Sequence, residues 1–196
     1  FQRRQRRLLL TGAGENLLHS ARRVLSEVAQ AEALCRAHPQ DDQAVGELLV
    51  EAYTTQYAKK LPEVVYSEQR KAFLRDVASR RAVSTVLVAE LDGEVVGTVA
   101  LLPPGASGTE AWLPNTADLR ALATAVRVHG QGLAQPLLAE TEALARRWGV
   151  EAISLHVRRG AVGVARMYQA RGYQRVPSGD LEKPDVYLEA YVLPLT

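Results

Sequence analysis

Two glycines set between an apolar strand and a long amphipathic helix restrict this chain more than any other feature. The stretch is His129-Gly130-Gln131-Gly132-Leu133-Ala134, and it opens a helical pattern that runs to Trp148. Leu133, Leu137, Thr141, Leu144 and Trp148 recur at helical spacing, with Gln135, Glu140, Glu142, Arg146 and Arg147 opposite, so one face is expected to be buried. The first turn has no acid. Its first N–H groups have no acceptor within the helix and the helix dipole is positive there, so the turn suits a phosphate held by backbone alone. Residues 118–126 before the turn and 150–157 after the helix read as strands, giving a strand, glycine turn, helix, strand unit. A dinucleotide fold would ask for G-x-G-x-x-G and an acid closing the next strand; His156 and Val157 stand there instead.

On these residues the chain resembles the GNAT superfamily of acyl-CoA-dependent N-acyltransferases, whose phosphate loop has the form Q/R-x-x-G-x-G/A. Ala161 to Tyr173 is similar to that family's next motif, N-x-x-A-x-x-L-Y-x-x-x-G-F, with Met167-Tyr168, Gly172 and Tyr173 at the family spacing. His129 replaces the usual Arg or Gln and Ala161 the usual Asn. The resemblance spans residues 32–196 and implies an α+β fold: a mixed, mostly antiparallel sheet with helices on both faces, splayed between strands 118–126 and 150–157. It further implies acetyl-CoA as acyl donor, held by Leu122, Ala123 and Thr124 through strand backbone and by Arg127, His129, Gly130, Gln131, Gly132, Leu133 and Ala134 at the phosphates. Tyr168 is expected to protonate the leaving thiolate, and Asp118, four residues before Leu122, to take the amine proton through water. Asp118 equally fits a strand-edge acid capping the turn at Pro114-Asn115, and His156, near the end of its strand, fits either a second base or a satisfied rim histidine. The expected acceptor is a primary amine of a small molecule or peptide. Tyr53, Tyr57 and Tyr66, with Glu63, are candidates to line its pocket, and ordinary helix-end packing explains the same residues.

Upstream, Asp41 or Asp42 caps a helix expected to reach Tyr53 with Val45, Leu48, Leu49 and Ala52 inward, and a second helix is expected over residues 67–80. A short strand over 31–37 precedes them. Residues 84–90 and 94–101 flank Asp92-Gly93 as a hairpin, and the loop 103–108 is long enough to reach over a ligand. A last strand covers 187–193.

The net charge of +2 conceals a basic head: residues 1–40 hold seven Arg and three Glu, leaving 17 basic and 19 acidic residues in the rest. Residues 1–31 form a basic extension in which Leu17, Leu18, Ala21, Val24, Leu25 and Val28 make one helical stripe, fit to pack on the body or pair with a second copy as a homodimer. Phe1, Arg3, Arg6, Arg7, Leu10, Thr11, Ala13, Gly14, Leu17, Leu18, Ala21 and Arg22 are similar to the wing and linker helix of LysR-type transcription regulators, as a shortened DNA-binding head or a fusion remnant would be. No recognition helix accompanies them, so base readout and a nucleic-acid partner are not expected. An acyl-CoA-binding regulatory module attached to such a head is the alternative to catalysis. The apolar runs are far short of the ~20 residues that span a bilayer. One cysteine, Cys35, allows no internal disulfide and fits a cytoplasmic setting; the four histidines lack metal-ligand spacing, so no metal is expected.

Overall fold

A computed structural model describes residues 2–4, 7–9, 34–60, 67–184 and 186–195, with side chains for 34–55, 67–184 and 186–195. At the head, β1 (Gln2–Arg4) and β2 (Arg7–Leu9) pair antiparallel. The expected helix over 13–28 lies outside the described residues, as do Glu63, Tyr66 and the side chain of Tyr57.

The body is an eight-stranded sheet. Its strands are β3 (Leu34–Arg36), β4 (Thr85–Leu91), β5 (Glu94–Leu102), β6 (Thr116–Thr124), β7 (Ala152–Arg158), β8 (Gln174–Arg175), β9 (Leu181–Lys183) and β10 (Val186–Pro194). They run β3-β4-β5-β6-β7-β10-β8, with β9 on β10, and every pair is antiparallel except β6–β7. The two-residue turn between β4 and β5 forms because Asp92 and Gly93 both take positive φ, 53° and 75°, matching the twist of the strands they join.

Helix α1 (Asp42–Lys60) continues a full two turns past Tyr53, and it buries the expected Val45, Leu48, Leu49 and Ala52. The single helix expected over 67–80 is two, α2 (Glu68–Arg75) and α3 (Val77–Val83). Asp76 causes the break: its carboxylate accepts the Ser79 N–H at 3.1 Å, a side-chain cap that competes with continued helix, and its ψ of 70° leaves the helical region. Ser67 caps α2 in the same way, accepting from the Arg70 N–H.

Helix α4 (Ala134–Arg147) crosses the sheet with Leu137, Leu138, Thr141, Leu144 and Ala145 buried. Pro136 breaks no bond there, since the first turn has no acceptor within the helix. Glu142 corrects the expected solvent face: it is 8% exposed, and both its oxygens accept from Arg171, just beyond α5 (Val162–Ala170), at 2.9 and 2.8 Å. Burial of that carboxylate is tolerable because a planar guanidinium matches it bidentately. The loop 103–108 also departs from expectation. It closes on itself at the end of the sheet remote from the glycine turn, lining an open cleft of about 410 Å³ with Trp148, Ser84 and Thr85. Among the described residues no helix is long and apolar enough to cross a membrane.

Candidate active site

The parallel strands β6 and β7 pair only from Thr116↔Ala152 to Leu119↔Leu155, although β6 continues to Thr124 and β7 to Arg158. Beyond that last rung the strands diverge, and the β6 edge over 120–124 faces a crevice instead of a neighbour. A bulge increases the divergence: Thr98 pairs with Ala123 and Ala100 with Arg120, so Val99 opposes both Ala121 and Leu122. Ala121 takes a φ of 54° to make it, and bulges of this kind bend a strand and re-aim its groups. The backbone of Leu122, Ala123 and Thr124 is thus brought beside the crevice.

At the far end of β6 the chain turns through Val126–Val128 into the glycine loop. Gly130 and Gly132 both sit at φ 80°, conformations that a side chain would strain. Gln131 N–H donates to Val128 and Gln135 N–H to Gly132, closing the loop, while Leu133 and Ala134 present N–H groups at the start of α4, where no helical acceptor exists. The first turn of α4 carries no acid. The loop, the helix start and the open β6 edge are continuous, and they suit a diphosphate followed by an extended amide-bearing arm. Two expected phosphate contacts are engaged elsewhere. His129 turns back to the strand, its Nε2 3.0 Å from the Thr124 carbonyl, and Arg127 pairs with Glu94 on the exposed hairpin. That pair is solvent-exposed on both sides and holds Arg127 only weakly.

The face of the sheet away from α4 carries a second set of groups. A Cβ on Gly97 would meet Leu137 of α4 at 2.8 Å, so Gly97 points to α4; alternation along β5 and the rungs Ala100↔Arg120, Leu102↔Asp118 and Asp118↔Ser154 place Asp118, Arg120 and His156 on the opposite side. Asp118 is 1% exposed. Its Oδ2 accepts from the Glu110 N–H, the Thr109 hydroxyl and Arg120 Nε, at 2.8, 3.2 and 2.8 Å, so it anchors the 109–111 segment and does not cap Pro114-Asn115. Arg120 Nη2 lies 2.7 Å from the same oxygen and 3.3 Å from Glu110, as ion-pair contacts without hydrogen-bond alignment. Lys183 completes the network on Glu110. Burial pushes the Glu110 carboxyl up, but Lys183, Arg120 and His156 outweigh it and hold the group below its ordinary value.

His156 stands one residue past the last β6–β7 rung and is partly exposed. Its Nε2 lies 2.9 Å from the Gly179 carbonyl, which can only accept, so Nε2 donates there and Nδ1 is the ring nitrogen left to meet another group. Trp112 packs on the ring with centroids 5.3 Å apart, and a Cβ at Gly179 would fall 2.1 Å from the indole, so only glycine fits between them. Asp180 fixes this turn by accepting from Arg175, Tyr187 and the Ala190 N–H. Sequence reasoning passed over Glu110 and Trp112, and weighed His156 without its hydrogen bond. The register that brings a loop residue to a strand residue 46 positions away left no local pattern.

Tyr168, on α5, is buried against Tyr173 with ring centroids 5.2 Å apart in an edge-to-face contact. Tyr53 lies in the C-terminal half of α1, and burial raises its phenol against the lowering effect of Arg70 and Arg80. Among the described residues no group of three or more His, Cys, Asp and Glu could hold a metal ion.

A sequence profile of the acetyltransferase (GNAT) family matches residues 42–173. No curated protein sequence matches the chain. Among solved structures, an acetyltransferase of the GNAT family from Staphylococcus aureus Mu50 superimposes with a TM-score of 0.65 at 14% identity, covering 84% of this chain and 99% of that one. The ribosomal-protein-alanine N-acetyltransferase of Brucella melitensis gives 0.58 at 19% identity, over 83% and 99% of the two chains. The PaiA N-acetyltransferase of Thermoplasma acidophilum, solved in complex with coenzyme A, gives 0.59 at 19% identity, over 81% and 96%. A profile spanning most of the sheet and its crevice, together with this shared architecture, makes the chain a member of the GNAT acetyltransferase family.

Proposed function

We propose that the chain transfers an acetyl group from acetyl-CoA directly to a primary amine of a small molecule or peptide. The observation that carries this reading is the opening of β6 from β7 directly upstream of the Gly130–Ala134 turn. Gly130, Gln131, Gly132, Leu133 and Ala134 would hold the diphosphate and Leu122, Ala123 and Thr124 the pantetheine arm, with Arg127 and His129 at the margin. Bound there, acetyl-CoA supplies the activated thioester. Open N–H groups past Leu119 would stabilise the oxyanion.

The acceptor arrives as an ammonium, with an ordinary pKa near ~10.4, and must lose a proton. Nδ1 of His156 takes it, directly or through one water, and the Glu110 carboxylate nearby stabilises the imidazolium that forms. Asp118 acts one layer below as a positioning residue, holding Arg120 and the Glu110 backbone. Tyr168 returns a proton to the thiolate; in water a phenol titrates near ~10 and a thiol near ~8.5. Tyr53 would border the acceptor.

The test is amine-dependent thiol release from acetyl-CoA over a panel of amines, amino acids and peptides, with acetyl-CoA binding followed in parallel. Tyr168→Phe is expected to lower kcat about 10²-fold or more with the acetyl-CoA Kd retained. Binding without release from any amine would refute the transferase reading.

A further inference from the structure

His156 and the turn that meets it are joined twice. Across the β7–β10 pair His156 stands opposite Ala190, and the Ala190 N–H donates to Asp180 Oδ1 at 2.9 Å. One residue earlier than that carboxylate, the Gly179 carbonyl faces His156 Nε2 at 2.9 Å. The histidine, its strand partner, the carboxylate on that partner and the carbonyl on the ring form a closed circuit. The Asp180 N–H donates to the Pro177 carbonyl at 3.2 Å, so the 179–180 peptide turns its N–H into the short turn Pro177–Gly179 and its carbonyl toward the imidazole. Asp180 Oδ2 accepts from Arg175 at 2.5 Å and from the Tyr187 hydroxyl at 2.8 Å, which fixes the carboxylate itself.

The peptide before Asp180 needs such a restraint. The Trp112 indole leaves no room for a Cβ at position 179, and the glycine that fits there also removes the steric bar to turning the peptide over. A reversed 179–180 peptide would offer His156 an N–H in place of an oxygen. Nε2 would then accept, the single ring proton of the neutral imidazole would sit on Nδ1, and Nδ1 could take no proton from an amine. We propose that Asp180 is a positioning residue for His156: by pinning the turn to Ala190 it keeps the Gly179 carbonyl on Nε2 and leaves Nδ1 of the neutral ring with its lone pair. The use of Nδ1 as base rests on the transferase reading above, whereas the tautomer does not.

Proton–nitrogen correlation spectra of the isotope-labelled protein read the tautomer, recorded as pH is raised until the imidazole shifts stop moving. The His156 signal is assigned by its loss in His156→Gln. Wild type is expected to hold the ring proton on Nε2 alone. Asp180→Ala is expected to show a second population protonated on Nδ1 and to lose about 10-fold in kcat, part of what a positioned base contributes, with acceptor KM and acetyl-CoA Kd changed about 2-fold or less. Asp180→Asn, whose side-chain oxygen can still accept from the Ala190 N–H, is expected to keep the single tautomer and to hold kcat to within about 3-fold of wild type. Circular dichroism checks that each variant is folded. Should Asp180→Ala not fold, Asp180→Glu, which keeps the charge but displaces the turn from Ala190 by a methylene, takes its place with the same expectation. A wild-type proton on Nδ1 overturns the proposal without any variant, and so does an unmixed Nε2–H form in the displaced variant. Equal losses in Asp180→Asn and Asp180→Ala overturn it as well, since charge and not placement would then be acting. If no amine is acetylated, the transferase reading fails separately, and the spectra alone uphold or overturn the restraint on His156.

Discussion

Replacing Glu142 by Ala would remove one half of the ion pair that ties α4 to the turn after α5. The Glu142 side chain is 11% exposed and that of Arg171 19%, and two parallel hydrogen bonds of 2.9 and 2.8 Å join them. Breaking a fully buried pair costs ~3–5 kcal/mol, mostly because the surviving charge is stranded. Here Arg171 keeps some solvent and a bond from Nη1 to Gln135, which lowers the expected cost to about 2–3 kcal/mol. For a chain of this size that corresponds to a Tm fall of about 4–12 °C. Urea unfolding followed by circular dichroism measures it, with an unchanged m-value showing that the change lies in stability. Arg171→Ala alone should cost a similar amount. The double variant should cost clearly less than the two singles together, since no charge is then left unpaired. A loss below about 0.5 kcal/mol for Glu142→Ala, or strictly additive effects, would refute the reasoning.

Two further predictions concern the turns that frame the site. Burial opposes ionisation of Asp180, but Arg175, the Ala190 N–H and Tyr187 outweigh it and bring its pKa from 3.8 to about 2. A depressed folded pKa adds stability above the unfolded value, and that stability is lost as pH falls from about 4 through about 2. Asp180→Asn should therefore flatten the dependence of the urea midpoint on pH in that window, and an unchanged slope would count against the assignment. Gly130→Ala meets no atom within 4 Å, so its cost is the backbone strain of φ 80°, about 1–2 kcal/mol. Isothermal titration should show weaker acetyl-CoA binding as the loop relaxes, and unaltered affinity would separate the turn from the diphosphate.

The parts of this molecule legible in the sequence are those written in local periodicity. Val45, Leu48, Leu49 and Ala52 show their inward stripe, Asp92-Gly93 its hairpin, and Leu137, Thr141 and Leu144 the buried side of α4. Periodicity failed where a polar side chain found a distant partner. Glu142 has the pattern of a surface residue, and only Arg171, 29 positions on, makes its burial tolerable. Asp118 reads either as a base acting through water or as a cap on Pro114-Asn115, and neither reading contains the three donors, from Thr109, Glu110 and Arg120, that its 1% exposed carboxylate accepts. The glycine loop was evident from spacing, whereas the orientation of His129 toward Thr124 depends on a turn whose exit angle no local pattern records. His156 could be placed on its strand but not given a tautomer, because that depends on the Gly179 carbonyl, 23 residues away.

The extra residue in β6 is a separable insertion. Thr98↔Ala123 and Gly97↔Thr124 lie in register on one side of it, and Ala100↔Arg120 and Leu101↔Leu119 on the other. Excising either Ala121 or Leu122 would therefore leave every flanking rung with its present partner and each neighbouring side chain on its present face. Such a chain would shed the positive φ of Ala121, worth about 1–2 kcal/mol, and gain a straighter and more stable sheet. It would also lose the bend that turns the crevice edge outward. A one-codon deletion would make that exchange, giving up the bend at the crevice edge for stability.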